Sequence, residues 1–381
     1  MRVFVVSDWY PTGPGDPAGC FVRNQALAAA TRHEVAVLHL AAPQRGPARP
    51  RLETEQDGPL YTLRLRRRPG PPLTAGNVAA VVGALRRLSA RGFVPDLIHA
   101  HEVGAGFAAV RAGGARRRPV VVSVHFSGFA LGQVRGISAR LARGAFARAD
   151  AVCPVSESLR ERMEQGGWPG RFRVVPNVVD IDRFVPGAPA AGVPRIVVVA
   201  ALTPVKGVEQ LVEAAGLLAE RGASFHVDLV GDGELREPLM RRIERLGLNE
   251  RVELHGTLSS DAVAALMRDA AFAVVPSVWE TFSVVLSEAM ACGLPVVATA
   301  VGALPERVGE HNGILVAPDD PACLAGGIAQ MLERYGSYNR EAIAGEVRAR
   351  LSPDAVAAAW DVVYADVVAR RRGSSAVVAA S

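Results

Sequence analysis

The feature that most narrows the fold is a rhythm that runs through the chain twice. Short apolar runs rich in β-branched residues alternate with helical stretches. The alternation stops at a Pro-, Gly- and Ala-rich segment, Phe184–Pro194 (FVPGAPAAGVP), and then begins again. In the first half the predicted strands are Val3–Ser7, Glu34–Leu40, Leu60–Arg64, Leu97–Ala100, Val120–Val124, Ala151–Pro154 and Phe172–Val175. The helices between them are Val22–Thr31, Gly76–Arg91, Gly104–Gly113, Gly136–Arg148 and Glu157–Gln165. In the second half the strands are Arg195–Ala200, Phe225–Val230, Val252–His255, Ala273–Val275, Pro295–Ala298 and Gly313–Val316. Its helices are Gly207–Arg221, Glu234–Leu246, Ser260–Asp269, Val284–Ala291, Leu304–Val308 and Pro321–Arg334. Strands joined by helices lie parallel, and parallel strands buried on both faces read as nearly continuous apolar runs. The expectation is an α/β protein with two Rossmann-like parallel-sheet domains facing a cleft, residues 1–183 and 195–352, joined by a linker over 184–194. A closing helix over residues 353–372 packs back toward the first domain, and a disordered tail follows over 373–381. In such sheets ligands sit beyond the carboxyl ends of strands, so the loops there are where chemistry is sought.

Composition removes several alternatives. With 49% hydrophobic and 21% charged residues the chain is globular. It has no apolar run of the roughly 18 uncharged residues that a membrane span needs, and its first residues, MRVFVVSDWYP, read as a strand rather than a signal peptide. The expected location is cytoplasmic. The cysteines at positions 20, 153, 292 and 323 form no C-x-x-C pair, and no spacing suggests a metal cluster. Residues 1–187 carry 26 Arg against 14 Asp and Glu, whereas residues 188–381 carry 17 Lys and Arg against 24 Asp and Glu. The basic half includes Arg64, Arg66, Arg67 and Arg68, and Arg116, Arg117 and Arg118. It suits an anionic or lipid-linked acceptor, with peripheral association at the inner face of a membrane, or simply solvated loops. No interleaved aromatic pattern supports nucleic-acid binding. Of 43 basic residues only Lys206 is a lysine. A compact point charge, not a planar fork, is kept at that one position.

Lys206 stands in LTPVKG (Leu202–Gly207), after the first strand of the second half, where an ammonium group can neutralise a leaving diphosphate. The densest motif is PSVWETFSVVLSEAMACGLPVVAT, Pro276–Thr299. In it Glu280 follows a strand, a helix begins near Ser283, and Glu288 lies about a turn inside that helix. The amides of Phe282, Ser283 and Val284 would be unpaired at the helix start, which is an anion site suited to a diphosphate. Glu280 and Glu288 would repel phosphate and so should face sugar and ribose hydroxyls. A bare pair of glutamates on a helix is common, and it is the surrounding string that gives this one meaning. The loop SDWYPTGPGDPAGCFVRNQALA follows the first strand, and its Gly19 would let backbone approach a ligand closely. His101 and His125 end first-half strands. His101 reads as structural and His125, before a Ser-Gly turn, as functional. Gly231, in GDGEL, makes a tight turn on the nucleotide side.

Taken together the strings AGCFVRNQALA, PDLIHAH, VSVHFSG, ADAVCPVSESLRERM, VVPNVVDIDRF, LTPVKG, LVGDGELREPL, VELHGTLSS and PSVWETFSVVLSEAMACGLPVVATAVGALPE resemble glycosyltransferase family 4, retaining enzymes of the GT-B fold. The resemblance covers nearly the whole chain. It implies a UDP- or GDP-sugar donor, an acceptor hydroxyl and no catalytic metal or other cofactor. It also implies roles: Lys206 on the diphosphate, Glu280 on the donor sugar and Glu288 on the ribose. The amides near Phe282–Val284 complete the phosphate cradle, Thr281 belongs to the donor-binding loop, Gly19 sits near phosphates and acceptor, and His125 lies against the donor sugar. Glu306 matches a recurring position to which no role is assigned. Four positions depart from the pattern: Ala201 stands where an arginine is usual, Thr281 and Ser283 flank Phe282 where glycines are usual, and Val178 replaces the glycine of N-G-V-D. Another arginine would have to supply the missing cation, or the leaving group is less well stabilised.

The expected chemistry is front-face substitution. The diphosphate departs against Lys206 and the helix amides, and the acceptor attacks from the same face. A leaving phosphate oxygen takes the proton, and domain closure excludes water. A nucleotide-sugar 2-epimerase on the same fold and a sugar-nucleotide-binding protein without turnover are the alternatives. A pyridoxal-phosphate phosphorylase would need Lys206 as its Schiff base, which its place in a phosphate loop disfavours.

Overall fold

The computed structural model describes residues 1–13, 16, 18–40, 50–66, 73–114 and 118–379. The chain divides into two compact units. One holds Met1–Val178 together with Pro353–Ser381, and the other holds Val179–Ser352.

The first unit begins with β1 (Arg2–Ser7), α1 (Cys20–Ala30), β2 (Glu34–His39), β3 (Arg51–Asp57), β4 (Leu60–Arg66) and α2 (Leu73–Ala90). It continues with β5 (Leu97–His101), α3 (Glu102–Gly114), β6 (Val120–Val124), α4 (Gly136–Phe146), β7 (Ala151–Pro154) and α5 (Glu157–Gln165). Its seven strands stand in the order β3-β4-β2-β1-β5-β6-β7, all parallel except β3, which runs antiparallel to β4. The apolar runs sit at the centre, with every residue of β5 and β6 buried. β3 was not expected from the sequence. Its polar string RLETEQD is a solvated edge turned back at Gly58, whose φ is +57°. The expected strand Phe172–Val175 does not form and makes only an isolated parallel bridge, Val152 to Phe172. Pro176 follows immediately and has no amide to extend the ladder.

The second unit comprises β8 (Arg195–Val199), α6 (Val208–Glu220), β9 (His226–Val230), α7 (Arg236–Arg245), β10 (Val252–Gly256), α8 (Ser260–Asp269) and β11 (Phe272–Val275). Then come α9 (Val284–Ala291), β12 (Val296–Thr299), β13 (Gly313–Val316), α10 (Pro321–Arg334) and α11 (Arg340–Leu351). Its six strands are all parallel, in the order β10-β9-β8-β11-β12-β13. Ile196, Val198, Leu211, Phe272, Val297 and Leu324 anchor its core. The helix expected over Leu304–Val308 is only a 3₁₀ turn, Leu304–Glu306, and α11 was not anticipated.

The last helix, α12 (Pro353–Ala379), belongs to the first unit and packs on α1. Trp360 and Tyr364 are fully buried there, and the Tyr364 hydroxyl lies 2.8 Å from His99 Nδ1. The tail expected to be disordered continues this helix to Ala379, and residues 380–381 lie outside the described residues.

Each sheet has a point where strand order reverses. In the second it falls between β8 and β11, in the first between β1 and β5. Loops leaving the carboxyl ends of those strands diverge and leave room for a ligand. The sequence motifs sit on these loops.

Candidate functional site

In the second unit the loop after β8 ends in a 3₁₀ turn, Pro204–Lys206, and Gly207 with φ +65°. A Cβ on Gly207 would stand 1.9 Å from the Pro276 carbonyl oxygen, so only glycine allows the β8 and β11 loops to meet. Val278 N donates to Val205 O at 2.9 Å and ties the two together. The contact places Lys206 against Glu280. Lys206 Nζ donates to Glu280 Oε1 at 2.6 Å, and Ser277 Oγ donates to the same oxygen at 2.9 Å. Glu280 is buried and Lys206 about one-third exposed. Gly302, with φ +50°, closes over the Glu280 carbonyl, which a Cβ would approach to 1.9 Å. Among the charges of this loop, then, Lys206 is met first by Glu280.

Thr281 and Val284 are half-buried, and Phe282 and Ser283 buried. Ser283 adopts a left-handed conformation with φ +59°, and its hydroxyl accepts from Leu286 N at 3.3 Å, capping α9. A serine here fills with a side-chain cap what glycine would supply by conformational freedom alone. Arg307 was not singled out from the sequence. Its guanidinium lies 4.1 Å from the centre of the Phe282 ring and donates to Ser283 O at 3.4 Å and to Ser287 Oγ. Burial lowers its pKa to about 10. This half-buried cation backs the start of α9, whereas Ala201, at the position the resemblance assigns to arginine, is exposed. The visible signal was a basic residue between the apolar positions Leu304 and Val308.

Glu288 is half-buried in the second turn of α9. Burial first, and the Asp180 carboxylate second, push its pKa up to about 7, while Arg183 opposes the rise. Arg183 pairs with Asp180 at 3.0 Å and with Asp261 at 2.8 Å, so a small ionic group from the DIDRF segment stands beside Glu288. Gly231, with φ +137°, lets the β9 loop cross Ala200, whose carbonyl a Cβ would meet at 1.8 Å.

In the first unit Gly19 has φ +71° and precedes α1. A Cβ there would lie 2.5 Å from the Trp9 carbonyl carbon, so the loop after β1 folds across itself at that residue. His125 follows β6. Its backbone N–H donates to Glu102 Oε1 at 2.7 Å, its Nε2 lies 3.1 Å from His101 Nδ1, and its ring stands 4.5 Å from Phe21. Burial lowers its pKa to about 3, so the ring is neutral near pH 7. It can orient a hydroxyl but is not poised to donate a proton as an acid. His101 is fully buried. Glu102, with φ +72°, has its pKa raised to about 7, chiefly by burial. Gln25 Nε2 donates to Asn177 Oδ1 at 2.9 Å, fixing Asn177 of the VVPNVVD string.

The basic clusters are less free than their sequence suggests. Arg64 is buried and donates to Glu55, to the Pro11 carbonyl and toward His39, Arg66 pairs with Glu53, and Arg118 donates to the Pro95 carbonyl. Arg67, Arg68, Arg116 and Arg117 lie outside the described residues. Among the described residues no helix is long and apolar enough to cross a membrane.

Comparison with known proteins bears on these loops. The family model "Glycosyl transferases group 1" matches residues 182–348, and "Glycosyltransferase Family 4" matches residues 19–183. D-inositol 3-phosphate glycosyltransferase 2 of Catenulispora acidiphila is 36% identical over 221 residues, covering 52% of this chain and 51% of its own length. The chain spans about half or less of the curated relatives it matches above 30% identity. Among solved structures, sucrose-phosphate synthase of Thermosynechococcus elongatus superposes with a TM-score of 0.78 at 23% identity, covering 97% of this chain and all of that one. Anabaena HepE in complex with UDP-glucose gives 0.70 at 22%, covering 98% and 100%. At such identities the likeness is one of fold, the GT-B arrangement of two Rossmann-like domains.

Proposed function

Since the chain belongs to glycosyltransferase family 4, we propose that it moves a hexosyl-type group from a UDP- or GDP-sugar to an acceptor hydroxyl with retention at the anomeric carbon. The observation that carries this reading is the Lys206–Glu280 pair at 2.6 Å, held at the reversal point of the second sheet beside the start of α9. A diphosphate arriving there finds an ammonium group and helix amides. A sugar ring finds a buried carboxylate already fixed by Ser277 and Lys206. When the leaving group gains charge, Lys206 and the amides stabilise it without reorganising, and a leaving oxygen takes the acceptor proton. Glu288 suits a ribose diol, because a carboxyl with its pKa near 7 can both accept and donate. No step requires a metal or other cofactor. HepE, of like fold, was solved with UDP-glucose, which makes a uridine donor the first to try.

The first unit would hold the acceptor, with neutral His125 orienting a hydroxyl. Its α4 leaves Ile137 exposed beside Arg135 and Arg140, with Leu131 and Phe126 exposed nearby. That mix suits peripheral contact with an anionic membrane, where a lipid-linked acceptor would be met.

The test is a panel of nucleotide sugars with and without candidate acceptors, with products read by NMR. Turnover or slow hydrolysis of one donor, with an axial or equatorial linkage matching that donor, supports the reading. Conversion of UDP-N-acetylglucosamine to its 2-epimer with no acceptor would replace it with the isomerase. Tight donor binding without turnover would replace it with a binding protein, the reading that Ala201 favours.

A further inference from the structure

The second sheet carries a cluster of metal-ligating side chains that the donor loops do not use. On one face of its edge, β9 presents His226 and Asp228, and β10 presents Glu253 and His255. The register sets Glu253 directly opposite Asp228. Arg195 and His255 already offset the charge on Asp228, and a cation shared with Glu253 would answer the second carboxylate of the facing pair. Asp228 is buried, and Arg195 of β8 grips it with both Nε and a terminal nitrogen.

His226 Nε2, an Asp228 oxygen and a Glu253 oxygen all lie within 4.8 Å of one another. His226 Nε2 stands 3.8 Å from Asp228 Oδ1 and 3.6 Å from Glu253 Oε2, and it has no hydrogen-bond partner although the atom is buried. Metal–ligand bonds of about 2.1 Å at tetrahedral angles separate ligand atoms by about 3.4 Å. His226 Nε2 therefore needs to close by only a few tenths of an ångström on each carboxylate oxygen, and the two carboxylate oxygens, within 4.8 Å of each other, by no more than about 1.4 Å. His255 completes an outer layer, with Nε2 2.8 Å from Asp228 Oδ1 and Nδ1 3.5 Å from Glu253 Oε1. Outer partners of this kind hold ligating carboxylates in place. A surface hollow bordered by Ala190, Val193, Arg195, Ser224 and His226 gives a path from solvent.

We propose that His226, Asp228 and Glu253 bind a divalent transition cation that accepts mixed imidazole and carboxylate ligands, such as Zn²⁺. One imidazole with two carboxylates favours such an ion over Mg²⁺ or Ca²⁺, which take oxygen alone. The site is at the amino end of β9, whereas Lys206 and Glu280 follow the carboxyl ends of β8 and β11. At about 3.3 Å per residue, His226 stands roughly 13 Å of strand from the carboxyl edge and Asp228 roughly 7 Å, with the loops beyond. The cation is thus structural, pinning β9 to β10 at the sheet edge, and takes no part in transfer.

The full chain, freed of any histidine tag and stripped with a chelator, is titrated calorimetrically with Zn²⁺ alone and melted with and without it. One equivalent should bind with a Kd of about 10 µM or tighter, and the melting midpoint should rise with zinc. His226→Ala and Glu253→Gln should each weaken binding at least tenfold and abolish the rise, while sugar transfer by both stays at the parent level. Both variants keep the exposed Cys20 and Cys323, so a loss is specific to the cluster. No uptake by the parent, or uptake unchanged in both variants, would overturn the proposal without touching the donor site.

Discussion

Replacing Lys206 by alanine separates what the ammonium does for the fold from what it does for transfer. The substitution leaves the buried Glu280 carboxylate still accepting from Ser277 Oγ in the loop, at 2.9 Å, but without its ammonium partner. Breaking a fully buried pair costs about 3–5 kcal/mol, but the Lys206 side chain is 30% exposed and water screens part of the loss, so ~1–2 kcal/mol is expected. For a unit of this size that is a fall of roughly 3–6 °C in the unfolding midpoint, read by circular dichroism. Turnover should fall at least about tenfold, ~1.4 kcal/mol in the barrier, with the loss in kcat rather than KM. Adding Glu280→Gln removes the stranded charge while keeping an acceptor for Ser277. The double variant should regain about 1 kcal/mol of stability and none of the activity. If activity returned with stability, Lys206 would matter only by holding Glu280 in place and the leaving-group role would be refuted. An unshifted midpoint in Lys206→Ala would refute the energetic reasoning.

Two further outcomes follow from the geometry. The Glu288 carboxyl titrates at about 7 in the folded protein against 4.5 ordinarily, so between those values the folded state holds a proton that the unfolded state has lost. Its contribution to stability is therefore greatest below about pH 4.5 and declines as pH climbs to 7. Glu288→Gln should unfold at higher denaturant than the parent at pH 8, by ~1–2 kcal/mol for this half-buried group, with the gap largely gone at pH 5. An equal gap at both pH values would contradict the assigned cause. On the first unit, Ile137→Asp should cut co-sedimentation with anionic phospholipid vesicles at least about fivefold while leaving neutral vesicles unaffected, and unchanged binding would remove α4 from any membrane contact.

The central strands were legible because burial on both faces leaves a continuous apolar string, as in VVVSV and FAVV. β3 was not, since an edge strand is solvated and RLETEQD carries no such string. α11 escaped because its apolar positions, Ile343, Ala344, Val347 and Leu351, are few and flanked by charge. Lys206, Glu280 and Glu288 could be named from their motifs. That Lys206 and Glu280 touch could not, because the contact comes from strand order and from two glycines, Gly207 and Gly302, that permit close approach. The ionic neighbours of Glu288 and the Arg307 backing of Phe282 come from segments distant in sequence, 183 to 288 and 282 to 307. The His226, Asp228 and Glu253 group is invisible to spacing rules for the same reason.

Because α12 lies in the first unit, that unit's interior is written at both ends of the chain, with the whole of the second interposed. Trp360 and Tyr364 fill space against His99 and against residues of α1 made some three hundred positions earlier. On the ribosome the second unit can finish folding while the first still lacks its closing helix and shows an unfilled apolar groove. A nascent chain halted near Ser352 would be half native and half adhesive, so the order of synthesis makes the amino-terminal half the last to become safe from aggregation.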